Sequence, residues 1–214
     1  MKRPALAAST IVLLVRHAET PTTGAVLPGR KPGLHLSDAG RQQAERLAQR
    51  LGQLPRLAAV YSSPRERARE TAAAIARPRG LAVRTEHGLD EVDIGAWTGL
   101  TVKRARCKRE WALFQRHPSG FRFPGGESFV EMQARVASTL GRLVEGHPGQ
   151  TLVAVSHGDP IKAAIAHALG LHLDLFQRNV IAPASVTAVL WRPEGPVVLT
   201  MNSVDGGLGG LGRP

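Results

Sequence analysis

The sequence predicts an α/β fold, a three-layer sandwich with helices on both faces of a mostly parallel central sheet, and three observations carry that expectation. Residues 11–15, Ile-Val-Leu-Leu-Val, are five branched apolar side chains, too short a run for a core helix and rich in β-branched types. They read as a strand buried on both faces. Residues 151–155 repeat the design. Between and around them strand, turn and helix alternate, which is βαβ logic and implies parallel strands. Each buried strand ends in polar chemistry, Arg16-His17 after the first and Ser156-His157-Gly158-Asp159 after the second. An arginine beside a histidine packs poorly where a strand meets its loop, because both need polar partners once desolvated. The pair suits an anion held beyond the carboxyl ends of the strands, where open α/β sheets bind ligands.

The remaining elements follow in order. Residues 21–35 carry Pro21, Gly24, Pro28, Gly29, Pro32 and Gly33 and form a long loop at the crevice mouth. Ser37 offers an N-cap to a helix whose core face is Ala44, Leu47, Ala48 and Leu51 and which Gly52 closes. Residues 57–61 are the next strand. Ser62-Ser63 follows, and Pro64 fits the first position of a helix that carries Arg65, Arg67 and Arg69, with Ala68, Ala72 and Ile75 apolar. After a short strand at 81–85 come the acidic cluster Asp90, Glu91, Asp93 and the turn at residues 95–99. Residues 101–117 read as one helical segment with Trp111 and Phe114 for burial, and 118–127 as a Pro/Gly loop. Ser128 and Glu131 make a capping box for a helix with Met132, Val136, Leu140 and Leu143 inward. Pro160 opens a helix that stops near Gly170, and residues 185–191 and 196–201 form a hairpin. The expected organisation is one domain over residues 1–205, with a small cap insertion at about 92–127, and a flexible glycine-rich tail at 206–214.

At 214 residues, 43% hydrophobic and 21% charged, the chain can bury one well-formed core. Cys107 is the only cysteine, so an internal disulfide is excluded. The formal net charge of +11 favours anionic partners, a nucleic acid or a small phosphorylated substrate. The charged start, Met1-Lys-Arg-Pro, superficially suggests a signal peptide, but the apolar run after it ends in Arg16-His17 and reads as a strand. No stretch reaches the roughly 18 apolar residues of a membrane helix. The expected setting is therefore cytoplasmic, away from membranes.

Five segments in order carry a resemblance: residues 15–20 (Val-Arg-His-Ala-Glu-Thr), 62–68 (Ser-Ser-Pro-Arg-Glu-Arg-Ala), 89–91 with 95–99, 124–128 (Pro-Gly-Gly-Glu-Ser) and 156–158 (Ser-His-Gly). The chain resembles the histidine phosphatase superfamily, the phosphoglycerate mutase-like group, and its small phosphatase branch. The resemblance implies that His17 is a nucleophile forming phosphohistidine, which divides one displacement into two easier ones. It implies that Arg16, Arg67 and His157 surround the phosphoryl oxygens, where guanidinium forks make paired hydrogen bonds. By composition Asp90, Glu91 and Asp93 are equal rivals for general acid; the family pattern selects Glu91. Arg65 and Arg69 read as solvent-facing or paired at the surface. The sequence departs from the pattern at Ala18, where glycine is usual, and at Thr23, where many members carry asparagine.

Function follows as an expectation: a metal-independent phosphomonoesterase acting through phosphohistidine on a small phosphorylated metabolite, with no cofactor. No His-x-His or His-Glu-x-x-His pattern points to a metal site, and Arg16 beside His17 would repel a cation. A cofactor-dependent phosphoglycerate-type mutase is the alternative within the resemblance; the short cap favours the phosphatase. From another class, the basic segment 103–109 suggests a nucleic-acid or anion-binding protein. Too few aromatics lie near it for base stacking, and that reading leaves the five ordered segments unexplained. The sequence sets no oligomeric state.

Overall fold

A computed structural model of the chain describes residues 9–208. The expected basic start at residues 1–4 and residues 209–214 of the expected tail, 206–214, lie outside the described residues. Six strands form one sheet in the order β3-β2-β4-β1-β5-β6. These are β1 (Thr10–Arg16), β2 (Ala59–Ser62), β3 (Val83–Thr85), β4 (Thr151–Ser156), β5 (Val186–Arg192) and β6 (Gly195–Ser203). β1 to β4 run parallel, while β5 and β6 are the antiparallel hairpin expected at the end of the chain.

Side chains alternate across a strand, and β1 uses both faces. Ile11, Leu13 and Val15 pack into one cluster with Leu47 and Leu51 of α1 (Asp38–Gly52) and Ala72 and Ile75 of α2 (Glu66–Ala76). Val12 and Leu14 face the other layer, where α5 (Phe129–Glu145) and α6 (Gly158–Ala168) contribute Met132, Val136, Ile161 and Ile165. Complete burial of each of these Val, Leu, Ile and Met side chains stabilises the fold by roughly 1.5–3 kcal/mol. Ser37 caps α1 through the Gly40 N–H, and Ser128 with Glu131 closes the capping box of α5.

Three local expectations are corrected. The segment 101–117 is two short helices, α3 (Val102–Arg106) and α4 (Trp111–Arg116), with a break between them. At about 100° per residue, one straight helix would set Phe114 roughly opposite Ala105. The break lets both face the core, where Phe114 joins Trp97, Phe121, Phe123 and Phe129. This aromatic group shares a cluster with Val12 and Leu152 of the sheet, so the core runs continuously into residues 92–127. Secondly, α2 starts at Glu66, not Pro64, and Arg65 is still extended. Proline disfavours helical backbone at Ser63, and the Ser63 hydroxyl accepts the Arg65 N–H. Thirdly, the expected flexible tail, 206–214, is tied down at its start: the Gly206 carbonyl accepts from Arg50, and Leu208 is buried in the core of the α1–α2 face.

Gly40 marks a close approach between α1 and the loop after β1. A Cβ there would lie 2.0 Å from the Glu19 carbonyl oxygen, whereas one at Gly52 meets nothing within 4 Å. Gly40→Ala is therefore expected to destabilise by about 1–3 kcal/mol through overpacking. Gly52→Ala is expected to be neutral or to stabilise by up to about 1 kcal/mol. Urea midpoints of the two variants check the pair.

Candidate active site

β1 and β4 pair in parallel with Arg16 opposite Ser156. One residue further on, His17 and His157 leave the sheet side by side, with ring centroids 5.1 Å apart in an edge arrangement. The His17 N–H donates to the Ser156 carbonyl at 3.0 Å, so the pairing persists to the nucleophile candidate itself. Its ring is nearly buried, at 6% exposure.

Partners fix the His17 tautomer. Nδ1 lies 2.7 Å from the Ala18 carbonyl oxygen, which only accepts, so Nδ1 carries the proton. Nε2 then keeps its lone pair, and the Nε of Arg67 donates to it at 3.3 Å. Burial first, then Arg67 and Arg16, pushes the His17 pKa down to about 3 against the hydrogen bond to Ala18. At neutral pH the ring is uncharged, with a bare nitrogen facing a guanidinium.

Arg67, in the first turn of α2, is fully buried, with Nη2 on the Gly29 carbonyl at 2.9 Å. Arg16 donates through Nη1 to the Ile181 carbonyl at 2.5 Å. Arg16 Nε, Arg67 Nη1 and His157 Nδ1 are buried polar atoms with no hydrogen-bond partner among the described residues. Leaving such groups unsatisfied costs about 1–3 kcal/mol each, more for charged ones. Their concentration around one histidine is what an anion site requires. The α6 amino terminus, opened by His157 and Gly158, adds to the attraction.

Glu91 completes the set from the loop after β3, its Oε2 3.7 Å from His157 Nδ1. Burial, and then the carboxylate of Asp159, raises its pKa to about 7, opposed by Arg67, the Val92 N–H and Arg16. All five residues singled out from the sequence, Arg16, His17, Arg67, Glu91 and His157, are thus brought together. His17, Arg16 and Glu91 open onto a cleft of about 430 Å³ that Thr20, Thr22, Thr23, Asp159, Lys162 and Gln177 also line. Thr23 uses its hydroxyl to accept the Thr20 N–H at 2.9 Å, which braces the loop.

Several supporting residues escaped the sequence reading. Arg65 is corrected: it is paired inward, with Nη2 3.0 Å from Asp90 and Nη1 donating to the Arg30 carbonyl, because extended backbone at Arg65 directs it toward the acidic loop. Arg69 is exposed, as expected. Arg30 Nε donates to the Glu91 carbonyl at 2.7 Å, and Arg135 Nη1 to the carbonyls of Gly88 and Asp90. Glu127 accepts from both arginines. Arg135 flanks the apolar stripe of α5, and a charged residue beside a core face was the available signal. Among the described residues, no group of three or more His, Cys, Asp or Glu is placed to hold a metal ion, and no helix is long and apolar enough to cross a membrane.

The sequence matches the family described as "Histidine phosphatase superfamily (branch 1)" over residues 12–204. It is 34% identical over 196 residues to "Phosphoserine phosphatase 1" of Hydrogenobacter thermophilus, covering 89% of this chain and 91% of that protein. Among solved structures, a mutant phosphoserine phosphatase from Entamoeba histolytica in complex with phosphoserine superposes with a TM-score of 0.83 at 28% identity, over 92% of this chain and 98% of that one. A mycobacterial glucosyl-3-phosphoglycerate phosphatase gives 0.82 at 27% identity, over 91% and 99%. The chain spans about half the length of some mycobacterial relatives that it matches and 90% of others.

Two pKa shifts in opposite directions predict a pH profile. For an alkyl phosphate ester, kcat/KM, which reports the free enzyme, is expected to fall tenfold per unit above about pH 7, as Glu91 loses the proton that a poor leaving group needs. With p-nitrophenyl phosphate that alkaline limb should shrink. On the acid side, activity lost by protonation of His17 should appear only toward pH 3.

Proposed function

The chain belongs to the histidine phosphatase superfamily, and from that premise we propose that it hydrolyses phosphate monoesters by way of phosphohistidine, without a metal ion. The observation that carries this reading is the bare His17 Nε2 facing the Arg67 guanidinium at 3.3 Å in a cleft that it shares with Glu91. His17 Nε2 attacks phosphorus and the ester P–O bond breaks, while protonated Glu91 gives its proton to the leaving oxygen. Arg16 and Arg67 turn their free donors to the phosphoryl oxygens, and His157 faces them from the neighbouring strand. Charge that spreads over those oxygens in the transition state meets cations already fixed in place. A water then attacks the phosphohistidine and passes a proton to the Glu91 carboxylate. The P–N bond breaks, phosphate leaves and His17 regains its lone pair.

For the leaving group, the cleft offers an opposed pair. Lys162 Nζ lies 3.5 Å from Asp159 Oδ1 and donates to Gln177 at 3.0 Å. Asp159 sits close enough to the phosphoryl site to act on Glu91 and Arg16, and a carboxylate there weakens binding of a plain dianion. A substrate with an ammonium group near its phosphate converts that cost into an attraction, and Lys162 can take up its carboxylate. Phosphoserine has this arrangement. Proteins similar to this chain include three named phosphoserine phosphatases, which supports it as the first substrate to try.

Phosphate release should persist in EDTA without added bisphosphoglycerate, and His17→Ala should reduce it by at least about 10³-fold. Transfer between phosphoglycerates that depends on bisphosphoglycerate, with no release to water, would establish a mutase instead. Asp159→Asn should lower kcat/KM for phosphoserine about 10- to 100-fold relative to 3-phosphoglycerate, the scale of a lost charged hydrogen bond. A common ratio for the two substrates would remove Asp159 from recognition while leaving the His17 chemistry intact.

A further inference from the structure

His157 is fully buried, and the structure shows what its outer nitrogen rests on. Nε2 lies 2.7 Å from the Ser63 hydroxyl, and that hydroxyl lies 3.2 Å from Asp90 Oδ1. The direct distance from His157 Nε2 to Asp90 is 4.0 Å, so the serine stands between them. Ser63 is fully buried and Asp90 is 6% exposed. Neither residue lines the cleft onto which His17 and Glu91 open, and neither is used in the chemistry above.

Donor and acceptor counting gives the chain a direction. The Asp90 carboxylate pairs with Arg65 at 3.0 Å and Arg30 at 3.6 Å, and its Oδ1 accepts the Glu91 N–H at 2.8 Å. A carboxylate only accepts, so the single Ser63 hydroxyl proton goes to Asp90. The serine oxygen then presents lone pairs to His157, and Nε2 must be the N–H. Nδ1 is left on the inner side, without a hydrogen-bond partner and 3.7 Å from Glu91.

We propose that Ser63 and Asp90 are positioning residues that fix His157 with Nε2–H outward and Nδ1 toward the phosphoryl site, and that support the imidazolium when an anion arrives. The inference rests on the anion site proposed above. A bare Nδ1 lone pair would repel a phosphoryl oxygen, so His157 serves the anion only by gaining a proton at Nδ1, taken from solvent as the dianion binds. The positive ring then donates from both nitrogens, to phosphate on one side and through Ser63 to Asp90 on the other. Burial first, and then the cations that face it, Arg67, Arg16 and Arg65, keep the His157 ring neutral while the site is empty. The carboxylates facing it are Glu91 and Asp90, and His17 lies beside it. The dianion offsets the cations, and the Asp90 charge, relayed by Ser63, holds the ring in place.

Side-chain ¹⁵N NMR of the full-length protein, with the His157 signals assigned through His157→Gln, tests this directly. In the empty enzyme Nε2 should be protonated and Nδ1 bare; saturation with inorganic phosphate should protonate both. In Ser63→Ala the empty-state tautomer should become mixed or reverse, and the phosphate Kd should weaken about 10- to 100-fold. Ser63→Thr, which keeps the hydroxyl, should restore both readouts. An unchanged tautomer with a phosphate Kd within twofold in a folded Ser63→Ala protein overturns the proposal. Should Ser63→Ala not fold, Asp90→Asn gives the same reading, because an amide can donate to Ser63 and so release the hydroxyl proton toward His157. Retention of the wild-type tautomer in Asp90→Asn is equally fatal. Wild-type enzyme that binds phosphate with these signals yet hydrolyses no ester would sink the catalytic reading and leave this one standing.

Discussion

The parallel pairing of β1 with β4 is the constraint on which the rest depends. Arg16 sits opposite Ser156, and the ladder continues into the His17 N–H to Ser156 carbonyl bond. A slip of one residue would turn His17 to the other face of the sheet, because side chains alternate with a period of two. Register is fixed by burial on both faces: Leu13, Val153 and Val155 fill one layer and Val12, Leu14 and Ala154 the other. The hydrophobic core thereby positions two histidines that contribute nothing to it.

Electrostatics divides the labour at that junction. His17 and His157 lie among arginines in a buried site, and both are held neutral. Glu91, a few ångströms away, is pushed toward protonation by burial and by Asp159. The empty site is therefore organised for the arrival of negative charge: it holds cations, uncharged imidazoles and an acid that keeps its proton near neutrality. Folding bears the cost of desolvating these groups, so no large reorganisation is left for the moment of reaction.

Precision at Glu91 comes from a second set of charges that never meet substrate in the proposed chemistry. Arg30 and Arg135 grip the Gly88, Asp90 and Glu91 carbonyls, and Glu127 bridges the two guanidiniums. These backbone groups come from a loop that otherwise has no ladder to pair with. The aromatic cluster around Trp97 packs the following segment onto the sheet and carries Glu127 to the clamp.

The sequence by itself determined the fold class, the two strand-to-histidine junctions, the capped helices α1 and α5 and the five candidate site residues. Strand burial, capping and chain order are local properties that a linear pattern encodes, and the ordered motifs placed Arg67 and Glu91 beside them. Tertiary structure alone decided the rest. The break between α3 and α4 answers a packing demand from Trp97 and Phe123, which flank it in sequence but meet Phe114 only once the chain has folded. The inward turn of Arg65, the Arg30–Glu127 arm of the clamp and the Ser63–Asp90 support of His157 join residues 25 to 97 positions apart. Neither tautomer could be read from a sequence, because it is the hydrogen-bond partner across space, Ala18 for one ring and Ser63 for the other, that decides which nitrogen keeps its proton.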